Sequence, residues 1–315
     1  MKSQGSTQPQ QIAPSLARFL VDRYPAVKAR YPDEGRRKWR LRVADAFWAL
    51  PFEQKAAYAI VCQDLPRLAI IANEDAEFVT DDDPLHALTA DVPGLGILLR
   101  TDYSNEDAWQ TFGEKLQEGE AEFSVMRTPE DATMTDAQGS ISTKKDVDEA
   151  MDQDEGDDDK DEDEGESSAS LRIFTVINAA LSDRARFANL SNLGALRLLN
   201  DVDIRPAPTP PPGTKRIKPP NRLVDHDGWQ EVYTGKTVWI YDARSNTDQC
   251  VRLVSQQSDF YGTATADSWR ARVSHICELQ VNLAAGALTI DFGGLDRWDY
   301  NERSRNLAEA MLSLT

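Results

Sequence analysis

Five cationic side chains lie within seven residues of one another in the first part of the chain. They are Arg36, Arg37, Lys38, Arg40 and Arg42, with Lys28 and Lys55 on either side of them in the sequence. Arginine and lysine neutralise phosphate groups, and this contact is the sequence-independent part of the affinity of proteins for nucleic acids. The group therefore predicts a surface that binds polyanions. The alternative is a solvated helix face that binds protein or no partner.

Two acidic residues suggest a different chemistry, because each follows an apolar segment typical of a buried strand. Asp102 comes soon after residues 95–99, and Asp242 directly follows residues 237–241. In open α/β sheets, ligands bind outside the carboxyl ends of the strands, so two acids there can bind a metal ion or act as a base. The alternative is that both acids fix turns and cap helices. Arg100 is then a buried partner of Asp102, or else a contact for an anion.

The remaining motifs define no catalytic set, metal site or cofactor site. Asp225, His226 and Asp227 are adjacent, and adjacent residues in a loop rarely converge on one ion. His275 and Cys277 have no second pair to complete a tetrahedral zinc site. The sequence has neither the glycine-rich fingerprint of dinucleotide-binding proteins nor a P-loop. It therefore predicts no catalytic residue, no metal and no cofactor.

Charge is distributed unevenly along the 315 residues, whose net charge is −18. Residues 1–60 contain eleven Lys and Arg against five Asp and Glu, whereas residues 146–166 contain fourteen Asp and Glu and one Lys. Residues 129–170 lack aromatic side chains and are rich in Asp, Glu, Ser and Thr, which predicts a disordered insertion. This insertion either competes with phosphate for the basic region or acts as a solubilising spacer.

The cysteines and the apolar segments indicate the compartment. Cys62, Cys250 and Cys277 are far apart and odd in number, which implies no disulfide framework and favours a reducing compartment. The first dozen residues are polar and lack the apolar segment of a signal peptide. No apolar run approaches the roughly 20 residues needed to cross a bilayer. The sequence predicts an intracellular protein, nuclear or cytoplasmic, without a membrane partner.

Helical spacing of apolar residues predicts three helices in residues 12–72, which we call the head. In the second of these helices the apolar residues recur along one face from Trp39 to Leu50, and most of the cations lie on other faces. Asp33 is placed to cap the start of this helix. Residues 1–11 are expected to be a disordered tail, and residues 73–92 an acidic linker.

Two stretches of the head resemble the HMG box. VKARYP (residues 27–32) is similar to the end of that family's first helix. WAL (residues 48–50), followed by EQK (residues 53–55) and Tyr58, is similar to the junction of its second and third helices. The resemblance implies an L-shaped group of three helices that binds the minor groove of DNA with low sequence specificity. Such a box bends DNA by inserting an apolar side chain. That position falls on Ala17, which is too small for this role, so Leu16 is the nearest substitute. The cations of the head would then contact phosphates.

The body, residues 93–315, alternates between strand-like and helix-like segments. Strands are predicted at residues 95–99, 123–126, 171–176, 237–241, 251–254 and 287–292, and helices at residues 104–116, 184–199, 269–283 and 301–312. This alternation is typical of an α/β layer fold. The seven prolines of residues 206–220 predict an extended loop. The predicted fold class is multidomain: an α-helical head followed by an α/β sheet body with an acidic insertion.

Part of the body resembles an uncharacterised α/β domain family of bacteria and fungi. The similarity lies in LRTDYS (residues 99–104) followed by AW (residues 108–109), and in LQVNL (residues 279–283) leading to DF (residues 291–292). The resemblance implies an α/β fold and transfers no catalytic role, since no activity is known for that family.

Taken together, these features predict a non-enzymatic nuclear protein whose head contacts DNA or chromatin and whose body is a scaffold or interaction module. One alternative is a protein-binding module without DNA binding. Another is an enzyme or small-molecule binder that uses the carboxyl edge of the sheet near Asp102 and Asp242.

Overall fold

A computed structural model describes residues 15–58, 76–85, 94–125, 172–209, 220–256, 263–290 and 299–313. In these ranges the chain forms ten helices, a five-stranded mixed sheet and a two-stranded antiparallel sheet, which makes it a mixed α/β protein. The predicted tail, the predicted acidic insertion and the ends of the predicted linker lie outside the described residues.

In the described ranges, four helices precede the first strand, and the remaining helices are interspersed among the strands. The helices are α1 (Ser15–Arg30), α2 (Arg36–Trp48), α3 (Phe52–Tyr58), α4 (Glu77–Thr80), α5 (Glu106–Val125), α6 (Arg184–Phe187), α7 (Asn192–Leu199), α8 (Ser245–Asp248), α9 (Val273–Ala284) and α10 (Tyr300–Glu309). The strands are β1 (Gly96–Arg100), β2 (Phe174–Ile177), β3 (Asp201–Pro206), β4 (Trp229–Thr234), β5 (Thr237–Tyr241), β6 (Cys250–Ser255) and β7 (Asp267–Arg272).

The large sheet has the strand order β2-β1-β5-β6-β7, in which β1 is parallel to both its neighbours and β6 is antiparallel to both β5 and β7. Every residue of β1 is buried. Such a strand reads as a continuous apolar run, because both faces of a parallel sheet are covered. The strands predicted at residues 95–99, 171–176, 237–241 and 251–254 are confirmed to within a few residues.

The two faces of this sheet belong to two hydrophobic clusters. Leu98 packs in one cluster with Phe112 of α5 and Ile276 of α9. Its neighbours Ile97 and Leu99 belong to the other cluster, which contains residues of α7 and of the head. This division follows from the period of two in a strand, which sends successive side chains to opposite faces.

The head packs directly against the body and shares the second cluster with it. The ring of Phe47 in α2 lies edge-on to that of Trp229 in β4, with centroids 5.6 Å apart. Helices α1 and α2 both contact β3. The buried side chains of Val202 and Ile204 in that strand belong to the same cluster as Phe19 of α1. One face of the head is therefore covered by the body.

The second head helix begins later than the predicted cap at Asp33. Its N-cap residue is Gly35, which offers no side-chain cap. Instead, the amide of Arg37 donates to Oδ2 of Asp83 at 2.8 Å. An acid in the predicted linker thus satisfies one of the free amides at the start of the helix, which replaces the local cap that the sequence suggested.

Two predictions of secondary structure in the body are wrong: one predicted strand belongs to a helix, and the start of one predicted helix belongs to a strand. Residues 123–125 continue α5, which packs against α9, and do not form a strand. Residues 269–272, predicted to begin a helix, belong instead to β7, because that strand pairs with β6 from Asp267 to Arg272. The long-range ladder of hydrogen bonds here outweighs the local helical spacing.

The predicted helix at residues 184–199 is divided into α6 and α7. Asn189 between them has the left-handed φ of 53°, and Ser191 starts α7 by accepting a hydrogen bond from the amide of Gly194. Strands β3 and β4 were not predicted. Within the described residues, 287–290 form no strand, whereas residues 291–292 and 210–219 lie outside the described ranges.

Replacing Gly96 with alanine should destabilise the fold, because the added Cβ would lie 2.6 Å from Oε1 of Gln280. Gln280 is fully buried; it accepts from Trp239 Nε1 at 2.7 Å and donates to Leu95 O at 3.1 Å. We expect a loss of about 1–3 kcal/mol in the free energy of unfolding, measured by urea denaturation. Gly113→Ala is the control: nothing lies within 4 Å of a Cβ there, and alanine in mid-helix should add about 0.5–1 kcal/mol. Equal effects would contradict this packing.

Candidate functional site

The cations of the head do not share one open surface. Arg36, Arg37 and Lys55 are only 4%, 7% and 1% exposed. Lys38 keeps half of its side chain in solvent, and its Nζ lies 2.9 Å from Oε1 of Glu34. A phosphate approaching the head would therefore meet few of the side chains that the sequence singles out.

Three arginines of α2 instead face acids that lie outside the three head helices. Nη1 of Arg36 donates to Asp201 Oδ2 at 2.7 Å, and Nη1 of Arg37 donates to Asp83 Oδ1 at 2.9 Å. Nη1 of Arg40 lies 3.6 Å from Asp201 Oδ2. We call this group, together with one further acid of β3, the head–body ion cluster; its members are Arg36, Arg37, Arg40, Asp83, Asp201 and Asp203. Buried ion pairs of this kind fix the relative position of the elements that carry them.

Three more cations of the head are also paired with carboxylates. Arg42 donates two hydrogen bonds of 2.6 Å to Glu34, and these bonds lower the pKa of that carboxyl to about 2. Lys28 Nζ donates to Asp81 at 2.8 Å. Lys55 Nζ donates to Asp227 at 3.0 Å, which adds a link from α3 to the body.

Two further large residues of the head, Leu16 and Trp48, are buried. Leu16, the residue nearest to the inserting position of an HMG box, is fully enclosed in the core. Trp48 is 5% exposed, and its Nε1 donates to Oε2 of Glu231 in β4 at 2.8 Å. Nearby, Arg222 of the body donates to Asp45 of α2 at 2.7 Å. These contacts extend the polar attachment of the head to the body.

Within the head–body ion cluster, burial disfavours the ionised form of Asp203. Burial raises its pKa to about 6, although the amide of Ile204 and the charge of Arg40 oppose the shift. Because this value exceeds the pKa of about 3.9 in an unfolded chain, the folded state binds the proton more tightly. The contribution of Asp203 to stability is therefore complete below pH 4 and is lost as the pH rises through about 6.

Asp203→Asn should accordingly stabilise the protein near neutral pH. We expect the free energy of unfolding to rise by about 1–2 kcal/mol at pH 7.5 and this gain to shrink towards zero at pH 4.5. Chemical denaturation at the two pH values measures the difference. Asp201→Asn is the matched control on the same strand. It should lower stability at both pH values, because it weakens the acceptor of Arg36. A pH-independent effect of Asp203→Asn would contradict the raised pKa.

At the carboxyl edge of the sheet, Arg100 is fully buried at the end of β1. Its guanidinium donates to the two carboxylate oxygens of Glu106 at 2.9 and 3.1 Å, and its Nε donates to the backbone oxygen of Asp102 at 2.8 Å. The rings of Tyr103 and Trp109 lie 4.9 and 4.8 Å from its Cζ. The carboxylate partner of Arg100 is therefore Glu106 and not the side chain of Asp102.

Asp102 and Asp242 lie at this same edge, linked by the first two residues of α8. Oδ1 of Asp102 accepts from Ser104 Oγ at 2.6 Å and from Asn246 Nδ2 at 2.7 Å. Oδ1 of Asp242 accepts from the amide and the hydroxyl of Ser245 at 3.1 and 3.0 Å. The structure thus brings the two acids to one edge of the sheet, and each acid stabilises a turn through the hydrogen bonds that it accepts.

The ionisation of both acids reflects these contacts. Burial raises the pKa of Asp102, but hydrogen bonds from Ser104 and Asn246 outweigh it, so that the net shift is downward. The pKa of Asp242 is likewise lowered, because Arg270 at 2.8 Å and Arg252 at 3.0 Å outweigh its burial. A carboxylate with a depressed pKa and several donors is a weak base at neutral pH.

A groove of about 490 Å³ lies between α1 and α2, which we call the head groove. Four residues of each helix line its walls at the spacing i, i+3, i+4, i+7, which places them on one face of their helix. They are Arg23, Ala26, Val27 and Arg30 from α1, and Arg42, Asp45, Ala46 and Ala49 from α2; Phe19, Tyr31 and Leu50 complete the lining.

Two charges of the head groove remain available to a ligand. On the α2 wall, Arg42 is paired with Glu34 and Asp45 is paired with Arg222. On the α1 wall, Arg23 and Arg30 are exposed, and neither forms an ion pair with a carboxylate in the described part of the chain. The groove is therefore apolar along its floor and positively charged along one rim.

The described ranges contain no group of three or more His, Cys, Asp or Glu side chains arranged to hold a metal ion. Among the same residues, no helix combines the length and apolarity that crossing a membrane requires. No protein-family model, curated protein or solved structure matches this chain.

Sequence reasoning missed the acids that pair with the head. Asp83 lies in a stretch interpreted as a linker, and Asp201 and Asp203 lie in a strand that was not predicted. One signal was present: Asp201, Val202, Asp203 and Ile204 alternate polar and apolar residues, which is typical of a half-buried strand.

Proposed function

We propose that this chain acts by binding another protein, with the head fixed to the body and the head groove as the binding surface. The observation that carries the proposal is the pairing of the head cations. Their partners are carboxylates of the same chain, at Asp83, Asp201 and Asp227 among others. The apolar groove between α1 and α2 is left open by this arrangement.

The physical cost of the DNA-binding alternative supports this choice. A phosphate could reach Arg36 or Arg37 only after a buried ion pair had opened, and removing one partner of such a pair costs about 3–5 kcal/mol. The net charge of −18 also repels polyanions at long range. Minor-groove binding by an HMG-box-like head, a nuclear location and a head that folds as a separate domain all remain predictions.

The shape of the head groove fits a known mode of protein recognition. Amphipathic helices bind in apolar grooves through residues spaced i, i+3, i+4 and i+7. The walls of the head groove present the same spacing from two helices, with exposed alanines at positions 26, 46 and 49. The head is then a rigid binding platform, and the body is the scaffold that holds it.

The proposal is tested on the full chain with a photo-crosslinking amino acid at Ala49, in the groove, and at the control position Ala185, exposed on α6. In cells that make the protein, we expect discrete protein adducts from position 49 and none of the same adducts from position 185. In parallel, fluorescence anisotropy with duplex and four-way DNA is measured at low salt and at about 0.15 M salt. DNA binding at the higher salt that is lost in Arg36→Ala would overturn the proposal.

A further inference from the structure

We infer that the partner of the head groove is an amphipathic α-helix with acidic residues along one edge of its apolar face. This inference rests on the proposed function and adds the chemistry of the ligand to it. It follows from three features of the groove: the small residues on its walls, the spacing of its exposed arginines, and the neutrality of its second wall.

The small residues on the walls of the groove leave room for the backbone of a bound helix. Ala26 on α1 lines the groove together with Ala46 and Ala49 on α2, and all three are exposed. Short side chains on both walls let the backbone of a third helix approach closely, and the apolar side chains of that helix then reach the floor at Phe19 and Leu50. The wall from residue i to i+7 is about 10 Å long, which two turns of a bound helix cover.

The exposed arginines determine which charge the adjacent edge of the bound helix must carry. Arg23 and Arg30 are seven residues apart, so they project from the same face of α1 with about 10 Å between them along the axis. Acidic residues seven apart on a helix lying beside α1 have the same separation. Each arginine can then bind one carboxylate in a charge-assisted contact.

The α2 wall gives the bound helix its orientation. The charges of Arg42 and Asp45 are balanced by Glu34 and Arg222, so this wall attracts neither sign strongly. A helix with acids on one edge and neutral residues on the other therefore fits with its acidic edge on α1. A basic edge would face the two exposed arginines of α1 and be repelled.

Two segments of this chain match the inferred ligand poorly. Residues 146–166 are acidic, but their only aliphatic or sulfur-containing residues are Val147, Ala150 and Met151, too few for an apolar stripe. Residues 59–75 are apolar, but their acids are Asp64, Glu74 and Asp75, of which no two are seven apart. The occupant with the required chemistry is therefore a helix of a partner protein.

The test uses two labelled peptides that share a helical leucine stripe spaced i, i+3, i+4, i+7. One carries two glutamates seven apart on one edge, and the other carries lysines at those positions. In anisotropy titrations with the full chain, we expect the glutamate peptide to bind about tenfold tighter than the lysine peptide. The double variant Arg23→Glu with Arg30→Glu should reverse the preference, and Arg244→Glu, a change at an exposed arginine outside the groove, should leave it unchanged.

Ala49→Trp fills the groove and should weaken both peptides about tenfold without lowering the thermal unfolding temperature. Equal affinity for the two peptides, no binding, or a preference that the double variant does not reverse would overturn the inference. Binding that appears only after residues 146–166 are deleted, or a dimer that Ala49→Trp dissolves in sedimentation, would assign the groove to this chain itself and also overturn it. Failure here leaves the Ala49 adducts intact, whereas failure of the proposed function removes them.

Discussion

Replacing Phe47 with alanine should lower the free energy of unfolding of the whole chain by about 3–5 kcal/mol. Phe47 is fully buried, and its ring meets those of Phe19 at 5.6 Å, Trp48 at 5.8 Å and Trp229 at 5.6 Å. The last of these belongs to the body, so the cavity would open at the junction and not inside the head alone. Since globular proteins are stable by about 5–15 kcal/mol, this loss is a large share of the total.

The measurement is urea unfolding followed both by far-ultraviolet circular dichroism and by tryptophan fluorescence. Phe52→Ala is the control, because Phe52 lies in the same head but is 59% exposed; its effect should stay within about 0.5 kcal/mol. We expect Phe47→Ala to move the midpoint reported by both probes together. A small early transition that moves alone, with the main transition unchanged, would show that the head unfolds independently of the body.

Arg100→Met should lower the free energy of unfolding by about 2–4 kcal/mol, the second largest expected effect after that of Phe47→Ala. The fully buried guanidinium would be lost, and with it the contacts to Glu106, to the backbone of Asp102 and to the rings of Tyr103 and Trp109. Glu106 remains half exposed and is resolvated, which keeps the cost below that of breaking a fully buried pair.

Arg244→Met is the matched control for Arg100→Met. Its side chain is 72% exposed and pairs only on the surface with Asp248, so the loss should be below about 0.5 kcal/mol. Thermal or urea unfolding of both variants decides the result. Equal and small losses would contradict a structural role for Arg100 and favour its alternative role as an anion contact.

Several strands of the central sheet could be predicted from the sequence because they are buried and therefore consist of apolar residues. Residues 95–99 and 237–241 are apolar runs, and the structure pairs them side by side with every residue of β1 enclosed. Strand β7 was not accessible in this way. Its residues are of mixed polarity, and the pairing with β6 that makes them a strand is a contact between distant parts of the chain.

The head cations show a second limit of sequence reasoning. Their spacing reveals that they share one helix, but it does not reveal what faces them. Arg37 meets Asp83 across 46 residues, and Arg36 meets Asp201 across 165 residues. A local pattern contains no information on partners so far away, so the same five cations are compatible with an open surface and with a buried interface.

The position of the two acids at the edge of the sheet could be predicted from the sequence, but their partners could not. Their position after apolar strands was enough to place Asp102 and Asp242 at the same edge. The residues that hold them were less accessible, because Asn246 reaches Asp102 across 144 residues and Arg270 reaches Asp242 across 28. Whether two acids form an open pair or two fixed turns depends on these neighbours.

A double-mutant cycle on Arg36 and Asp201 tests most directly whether the head is bound to the body through its cations. The two single variants to alanine and the double variant are compared with the unmodified chain by urea unfolding. From the 2.7 Å contact and the burial of Arg36, we expect a coupling of about 1–3 kcal/mol between the two positions. Additive losses, with a coupling near zero, would contradict this attachment and return these arginines to the surface.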